Sequence, residues 1–151
     1  MSTQVRFYHL TMRSVDETLP LLLEKTLERS KRAVVRFETQ ERLAAINQNL
    51  WTYNERRFLP HGSAKEGFEP DQPIWLTCED DSPNGASYEF LLENRAALEP
   101  QRLEMVAILF DARDEQAVQA ARGQWKTLKA LPELALSYWQ QTLSGGWEQK
   151  A

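Results

Sequence analysis

Cysteine and histidine are scarce in this sequence. The single cysteine, Cys78, excludes an internal disulfide. It follows the apolar run 74–76, a setting that predicts a buried, unreactive thiol rather than a catalytic one. The chain has only two histidines, His9 and His61, with no paired spacing. Because a zinc site needs clustered cysteine and histidine ligands, no metal site is expected.

Long hydrophobic runs are also missing. The apolar stretches 19–23 and 105–110 are far too short to cross a bilayer core of about 30 Å, so no membrane span is expected. The first residues lack a basic segment followed by an apolar one, which favours a first strand over a signal peptide and predicts a cytoplasmic protein. The formal net charge of -4 opposes direct, charge-driven binding of nucleic acid.

The six glycines form no phosphate-binding motif. None of them lies in the first β-to-α turn at 11–14, where a diphosphate would need close approach to the backbone. The residues most suggestive of an enzyme, a small hydrolase or nucleotide-binding enzyme, are His61, Asp80, Asp81 and Asp111, since Asp80 and Asp111 follow predicted strands. Carboxylates after strands are also common turn and N-cap residues, which is the interpretation we prefer.

Hydrophobic periodicity predicts strands alternating with helices. Ser14 or Asp16 is expected to cap the first helix, Pro20 to fall near its first turn, where proline is tolerated, and Thr39 to cap the second helix. Predicted strands cover 5–9, 33–37, 73–78, 87–92 and 103–110, and predicted helices cover 16–29, a segment after Thr39, 114–131 and 133–143. This alternation indicates a single α/β domain over residues 1–151, with a mostly parallel open sheet and helices on both faces.

The predicted helix after the last strand carries Arg122, Trp125, Lys126 and Lys129 at intervals of three and four residues. At about 100° per residue, the three cations fall within about 60° of arc, with Trp125 at their edge. A solvated amphipathic helix would look the same. A second segment also combines aromatic residues with cations, because Trp51 and Phe58 lie on either side of the two arginines at 56–57. Core packing and a shared binding pocket both explain these two aromatics.

Several short segments, taken in order, resemble the chi subunit family of bacterial DNA polymerase III. The likeness covers nearly the whole chain, and the ordered set is more specific than any one segment. The segments are Val5-Arg6-Phe7-Tyr8-His9-Leu10, Leu50-Trp51 with Phe58-Leu59-Pro60-His61-Gly62, Gln72-Pro73-Ile74, Leu109-Phe110-Asp111 and Ala121-Arg122-Gly123-Gln124-Trp125-Lys126.

The resemblance implies an accessory subunit of the clamp loader, with no catalytic activity and no cofactor. It implies two protein partners: the acidic, phenylalanine-ended C-terminal tail of single-stranded DNA-binding protein, and the psi subunit or another clamp-loader subunit. DNA would be reached only indirectly. One departure concerns Val118, which stands where a known member of the family has a further lysine. Carried over by residue, the tail-binding positions are Trp51, Phe58, Arg122, Trp125, Lys126 and Lys129.

Overall fold

The computed structural model describes residues 2–54, 59–93 and 95–151, and its strands and helices alternate along most of the chain. Two strands flank the first helix, and the other two helices follow strands in the same way. In chain order the elements are β1 (Thr3–Leu10), α1 (Val15–Glu28), β2 (Ala33–Arg36), α2 (Gln40–Thr52), β3 (Gly62–Ser63), β4 (Ile74–Thr77), β5 (Tyr88–Leu92), β6 (Met105–Asp111), α3 (Glu115–Lys129), β7 (Leu134–Gln141) and β8 (Trp147–Gln149).

The strands form one sheet in the order β3-β4-β2-β5-β6-β1-β7-β8, with every neighbouring pair parallel except β7 and β8. Side chains on one face pack against α1 and α2, and those on the other face pack against α3. Along β1 this alternation sends Tyr8 and Leu10 to the α1–α2 face, and Val5 and Phe7 to the α3 face. The predicted fold, a mostly parallel open sheet covered on both faces, is confirmed.

Side-chain caps begin the helices where the sequence predicts them. Ser14 and Glu17 form a capping box, in which the Glu17 amide donates to Ser14 Oγ at 3.2 Å and the Ser14 amide donates to Glu17 Oε1 at 3.1 Å. Thr39 accepts from the Arg42 amide in the same way at the start of α2. The polar side chains therefore fix the points at which the chain leaves the sheet.

Pro20 lies inside α1 and not near its first turn as expected. It is the sixth residue of the helix, and a proline there removes the hydrogen bond to the carbonyl four residues earlier, that of Asp16. Asn49 of α2 donates through Nδ2 to that carbonyl at 2.8 Å. The neighbouring helix thus satisfies the group that the proline leaves open.

The prediction of a last helix over 133–143 is wrong, because this segment contains β7. Leu134, Ala135 and Gln140 favour helices by intrinsic propensity, but β7 pairs with β1 along its length, from Thr3 opposite Leu134 onwards. Pairing with the open edge of a central strand outweighs a propensity of a few tenths of a kcal/mol per residue. The turn after β7 contains Gly145 at a φ of 88°, and β8 then runs back antiparallel; neither β8 nor the short β3 was predicted.

A buried ion pair lies on the α3 face, beyond the reach of that helix. Arg36 on β2 donates through Nε to Glu89 Oε2 on the neighbouring β5 at 2.7 Å, and both side chains are almost fully buried. The same guanidinium donates to the carbonyls of Glu79 and Asp81, at 2.9 and 2.7 Å, and to Ser82 Oγ at 2.9 Å. Arg36 therefore connects the sheet to the loop that follows β4.

A cationic aromatic cleft beside the third helix

Helix α3 is held against the sheet by one narrow apolar face. Asp114 caps it by accepting from the Ala117 amide at 3.2 Å, and Ala117, Ala121 and Leu128 are buried against the sheet. The small alanines let the helix lie close to the strands. The rest of the helix surface is open to solvent, and it carries the exposed cations Arg122, Lys126 and Lys129.

Trp125 is anchored by aromatic contacts on two sides. Its ring meets Phe7 of β1 edge to face at a centroid distance of 5.2 Å, and Tyr138 of β7 at 6.0 Å. These contacts leave the indole half-buried, with part of its surface open beside the helix. These contacts thus hold the Trp125 ring in one position between the sheet and solvent.

A cleft of about 690 Å³ opens between α3 and β7. Trp125 and Tyr138 provide aromatic surface, while Arg122 and Lys126 add positive charge. Gly123 also lines it and adds no side chain that would narrow the space. An aromatic surface next to two cations suits an apolar ring that carries, or is joined to, negative charge.

Beneath the cleft, His9 joins Tyr138 to the core. Its Nδ1 is hydrogen-bonded to the Tyr138 hydroxyl at 2.8 Å, and its ring stacks on Phe110 at 4.9 Å. Burial lowers the pKa of His9, the positive charge of Arg122 lowers it further, and Asp111 opposes both. Burial also raises the pKa of the Tyr138 hydroxyl, against the influence of Arg122. Both rings are therefore neutral near pH 7, and Arg122 supplies the positive charge beside them.

The structure brings together only part of the predicted site. Arg122, Trp125 and Lys126 line one cleft, whereas Lys129 lies further along α3 and does not line it. Trp51 is on α2, which packs on the opposite face of the sheet, so the structure does not bring it to Arg122. It is 46% exposed, with its ring over His61 at 4.4 Å. Phe58 lies outside the described residues.

Tyr138 is the residue of the cleft that the sequence analysis missed. Residues 133–143 were predicted to be helical, so Tyr138 had no expected place beside α3. The alternation of side chains in a β-strand would have placed Leu136 and Tyr138 on one face, and both do lie on the α3 face of the sheet. That signal is weak, because the polar Gln140 and the small Ala135 fit either period.

The alternative enzyme constellation is not assembled. His61 is buried, and its two ring nitrogens are hydrogen-bonded to the Leu59 carbonyl at 2.6 Å and to Asn47 Oδ1 at 2.9 Å. Asp80 is paired with Arg95, and Asp111 with Arg113, each at 2.9 Å. The strands that precede these aspartates, β4 and β6, are three strand spacings apart, or roughly 14 Å.

The described residues hold neither a cluster of metal ligands nor a membrane-spanning helix. No group of three or more His, Cys, Asp or Glu side chains is arranged to hold a metal ion in these residues. Cys78 is partly buried, and burial raises the pKa of its thiol, which opposes formation of the reactive thiolate. Within the same residues, none of the helices has the length and apolar character needed to span a membrane.

Together the fold and the site define an open-sheet α/β domain with a cationic, aromatic-lined cleft at one edge of its third helix. Residues 1–132 match the family model described as "DNA polymerase III chi subunit, HolC", and the chain therefore belongs to this family. The family predicted by the ordered segments is confirmed. The match includes the whole of α3 and ends before β7, so Tyr138 lies outside it.

A curated relative gives the same assignment. The probable DNA polymerase III subunit chi of Rickettsia prowazekii (strain Madrid E) is 32% identical over 84 residues. The alignment covers 56% of this chain and 51% of that protein, so it spans about half the length of the relative.

Proposed function

We propose that this chain is a non-catalytic accessory subunit of the DNA polymerase III clamp-loader complex, and that it binds the acidic, phenylalanine-ended C-terminal tail of single-stranded DNA-binding protein. Family membership supports the replication role. The observation that supports the tail as ligand is the cleft, in which Arg122 and Lys126 stand beside Trp125 and Tyr138. By holding this tail, the chain links single-stranded DNA-binding protein to the replisome.

The cleft chemistry matches the two ends of such a ligand. Burying a phenyl side chain against Trp125 and Tyr138 contributes about 1.5–3 kcal/mol. The guanidinium of Arg122 has the geometry to hold a terminal carboxylate in two hydrogen bonds, and Lys126 attracts the acidic residues that precede it. After the cost of ordering the tail, we expect micromolar affinity, about -8 kcal/mol, which weakens with salt because the cations are exposed.

Val118 lowers the positive charge near this cleft. It lies one helical turn before Arg122, where the family resemblance implies a lysine, and its side chain packs partly against the α3-face core. An exposed ion pair contributes about 0–1 kcal/mol, so the missing lysine costs at most a few-fold in tail affinity. The tail would then depend mainly on Arg122, Trp125 and Lys126.

A second proposed partner is the psi subunit, or another subunit of the clamp loader. DNA is reached only through the single-stranded DNA-binding protein in this proposal, in keeping with the net charge of -4. Purification of the native complex from its own cells, followed by identification of its components, tests this part. Recovery with neither clamp-loader subunits nor single-stranded DNA-binding protein would contradict it.

The tail proposal is tested by calorimetry with a short acidic peptide that ends in phenylalanine. We expect the Arg122→Ala variant to bind about tenfold more weakly, because a hydrogen-bonded charge pair is lost. Trp51→Ala is the matched control, since Trp51 is exposed on the opposite face of the sheet. Its affinity should equal that of the unmodified chain.

Two results would count against the proposal. One is the absence of heat on mixing at low salt, where ionic attraction is strongest. The other is an equal loss of affinity in Trp51→Ala and Arg122→Ala, which would show that one cleft does not account for binding. Urea unfolding of both variants separates loss of the site from loss of the fold.

A further inference from the structure

A second cavity, of about 180 Å³, lies on the α1–α2 face, on the other side of the sheet from the tail cleft. Aromatic side chains from four strands contribute to its lining: Tyr8 of β1, Tyr88 of β5, Trp139 of β7 and Trp147 of β8. One wall is the last two turns of α1, from Leu22 onwards. It is a pocket between a helix and an aromatic sheet surface, and the tail proposal does not use it.

Three cations line this cavity, and the described part of the chain offers none of them an ion pair or a side-chain hydrogen bond. They are Arg6, on the same face of β1 as Tyr8, and Lys25 and Arg29, four residues apart at the end of α1. Several other arginines among the described residues are ion-paired, as Arg36 is with Glu89. In a protein with a net charge of -4, three uncompensated cations at one pocket favour an anionic ligand.

The four aromatic side chains give the cavity flat apolar surfaces, and the hydroxyls of the two tyrosines add polar atoms to its lining. Tyr8 meets Trp147 edge to face at 5.0 Å, and the Trp139 indole donates to Ser137 Oγ at 2.9 Å, which fixes its ring. Tyr8 and Tyr88 are only 7% and 6% exposed. Their hydroxyls have no hydrogen-bond partner in the parts of the chain that the structure describes. A ligand ring with donors and acceptors on its edge would satisfy both hydroxyls.

From this arrangement we propose that the cavity binds one nucleotide, with its base against the aromatic side chains and its phosphate held by Lys25, Arg29 and Arg6. Base stacking on aromatic side chains is a common means of binding unpaired nucleotides. A phenyl group would leave the hydroxyls of Tyr8 and Tyr88 unpaired. Pockets for drug-sized ligands measure roughly 300–1,000 Å³, so this smaller cavity has room for a single base and not for several.

Calorimetry of the intact chain with deoxyadenosine monophosphate at low salt tests this inference. We expect one site with a Kd on the order of 0.1–1 mM, because a small ligand gains few contacts. Lys25→Ala/Arg29→Ala should raise this Kd about tenfold, since two phosphate contacts are lost. Both residues are exposed, so the double variant should fold. Lys129→Ala, which removes an exposed cation from α3, is the matched control and should leave the Kd unchanged.

Further ligands identify what the cavity recognises. Deoxyadenosine without phosphate should bind about tenfold more weakly, and inorganic phosphate alone should not compete. A short single-stranded oligonucleotide that binds more tightly than the monophosphate, with the same sensitivity to the double variant, would identify a strand end as the source. Equal or weaker binding would identify the free nucleotide.

Three results would overturn the inference: no heat with the nucleotide at several times the expected Kd, binding that is unaffected by the double variant, or displacement of the nucleotide by the phenylalanine-ended peptide. The last would assign the cavity to a peptide. Because the peptide test with Arg122→Ala concerns the other face, the nucleotide proposal and the tail proposal can fail independently.

Discussion

The two faces of the sheet are covered differently. On the α1–α2 face, two helices pack onto an extended core of aliphatic and aromatic side chains that includes Leu19, Val35 and Ile46. On the other face, the single helix α3 covers a smaller apolar cluster, and the buried charges of Arg36 and Glu89 lie beyond it. One helix cannot cover a wide sheet, so β7 remains accessible beside α3 and the cationic aromatic cleft forms there. The less completely packed face therefore carries the proposed protein-binding site.

The largest expected effect concerns the buried charges of the α3 face. We expect Arg36→Ala to lower the free energy of unfolding by about 3–5 kcal/mol, because Glu89 is left buried without its partner. Urea unfolding measures this loss. The double change Arg36→Met/Glu89→Leu should recover part of it, since no uncompensated charge remains although the hydrogen bonds from Arg36 to the loop after β4 are still lost. If Arg36→Ala were as stable as the unmodified chain, the α3 face would not depend on this ion pair.

Two core substitutions, one on each face of the sheet, are expected to have intermediate effects and to distinguish loss of stability from loss of peptide binding. Phe7→Leu replaces the ring that supports Trp125 by a smaller aliphatic side chain, and we expect it to cost about 1–2 kcal/mol of stability and several-fold in affinity for the acidic peptide. Ile46→Val on the α1–α2 face should cost about 0.5–1.5 kcal/mol and leave peptide affinity unchanged. Unfolding and calorimetry on both variants give the comparison. Equal affinities in the two variants would show that the position of Trp125 is unimportant.

The smallest effect concerns pH. The pKa of His9 is lowered in the folded chain, so the unfolded chain binds the proton more tightly. His9 therefore contributes its full stability above the unfolded pKa of about 6.5, and that contribution is lost as pH falls from there through the folded pKa. Unfolding at pH 7.5 and 5.5 should show a shallow decrease that is absent in His9→Gln. The same decrease in that variant would assign it to other groups.

The fold was predictable where local signals and long-range pairing agree. Ser14 and Thr39 cap helices in the structure as the sequence indicates, and Asp114, where the third helix was predicted to start, caps that helix; each accepts a hydrogen bond from the amide three residues on. Residues 134–141 show the opposite case. Their composition suits a helix, and only the open edge of β1 makes them a strand, which no local pattern records.

The difference between local signals and long-range pairing also explains which residues of the candidate site could be predicted from the sequence. Arg122, Trp125 and Lys126 share one helix, so their spacing was enough to group them. Trp51 has a similar composition around it, but its place depends on which face of the sheet α2 covers, and that is decided by the order of strands. Tyr138 comes from a strand that was not predicted. Composition thus identified a kind of surface, while topology decided which residues belong to it.

The antiparallel strand β8 restricts how any partner can approach the cleft. It occupies the outer hydrogen-bonding edge of β7 from Trp139 to Gln141, and the Lys150 amide extends this by donating to the Tyr138 carbonyl at 2.7 Å. A peptide cannot add itself there as a further strand unless this segment is displaced. The proposed recognition of a peptide beside α3 would therefore rely on side chains and a chain end, so it should tolerate changes in the peptide backbone but discriminate sharply between terminal residues.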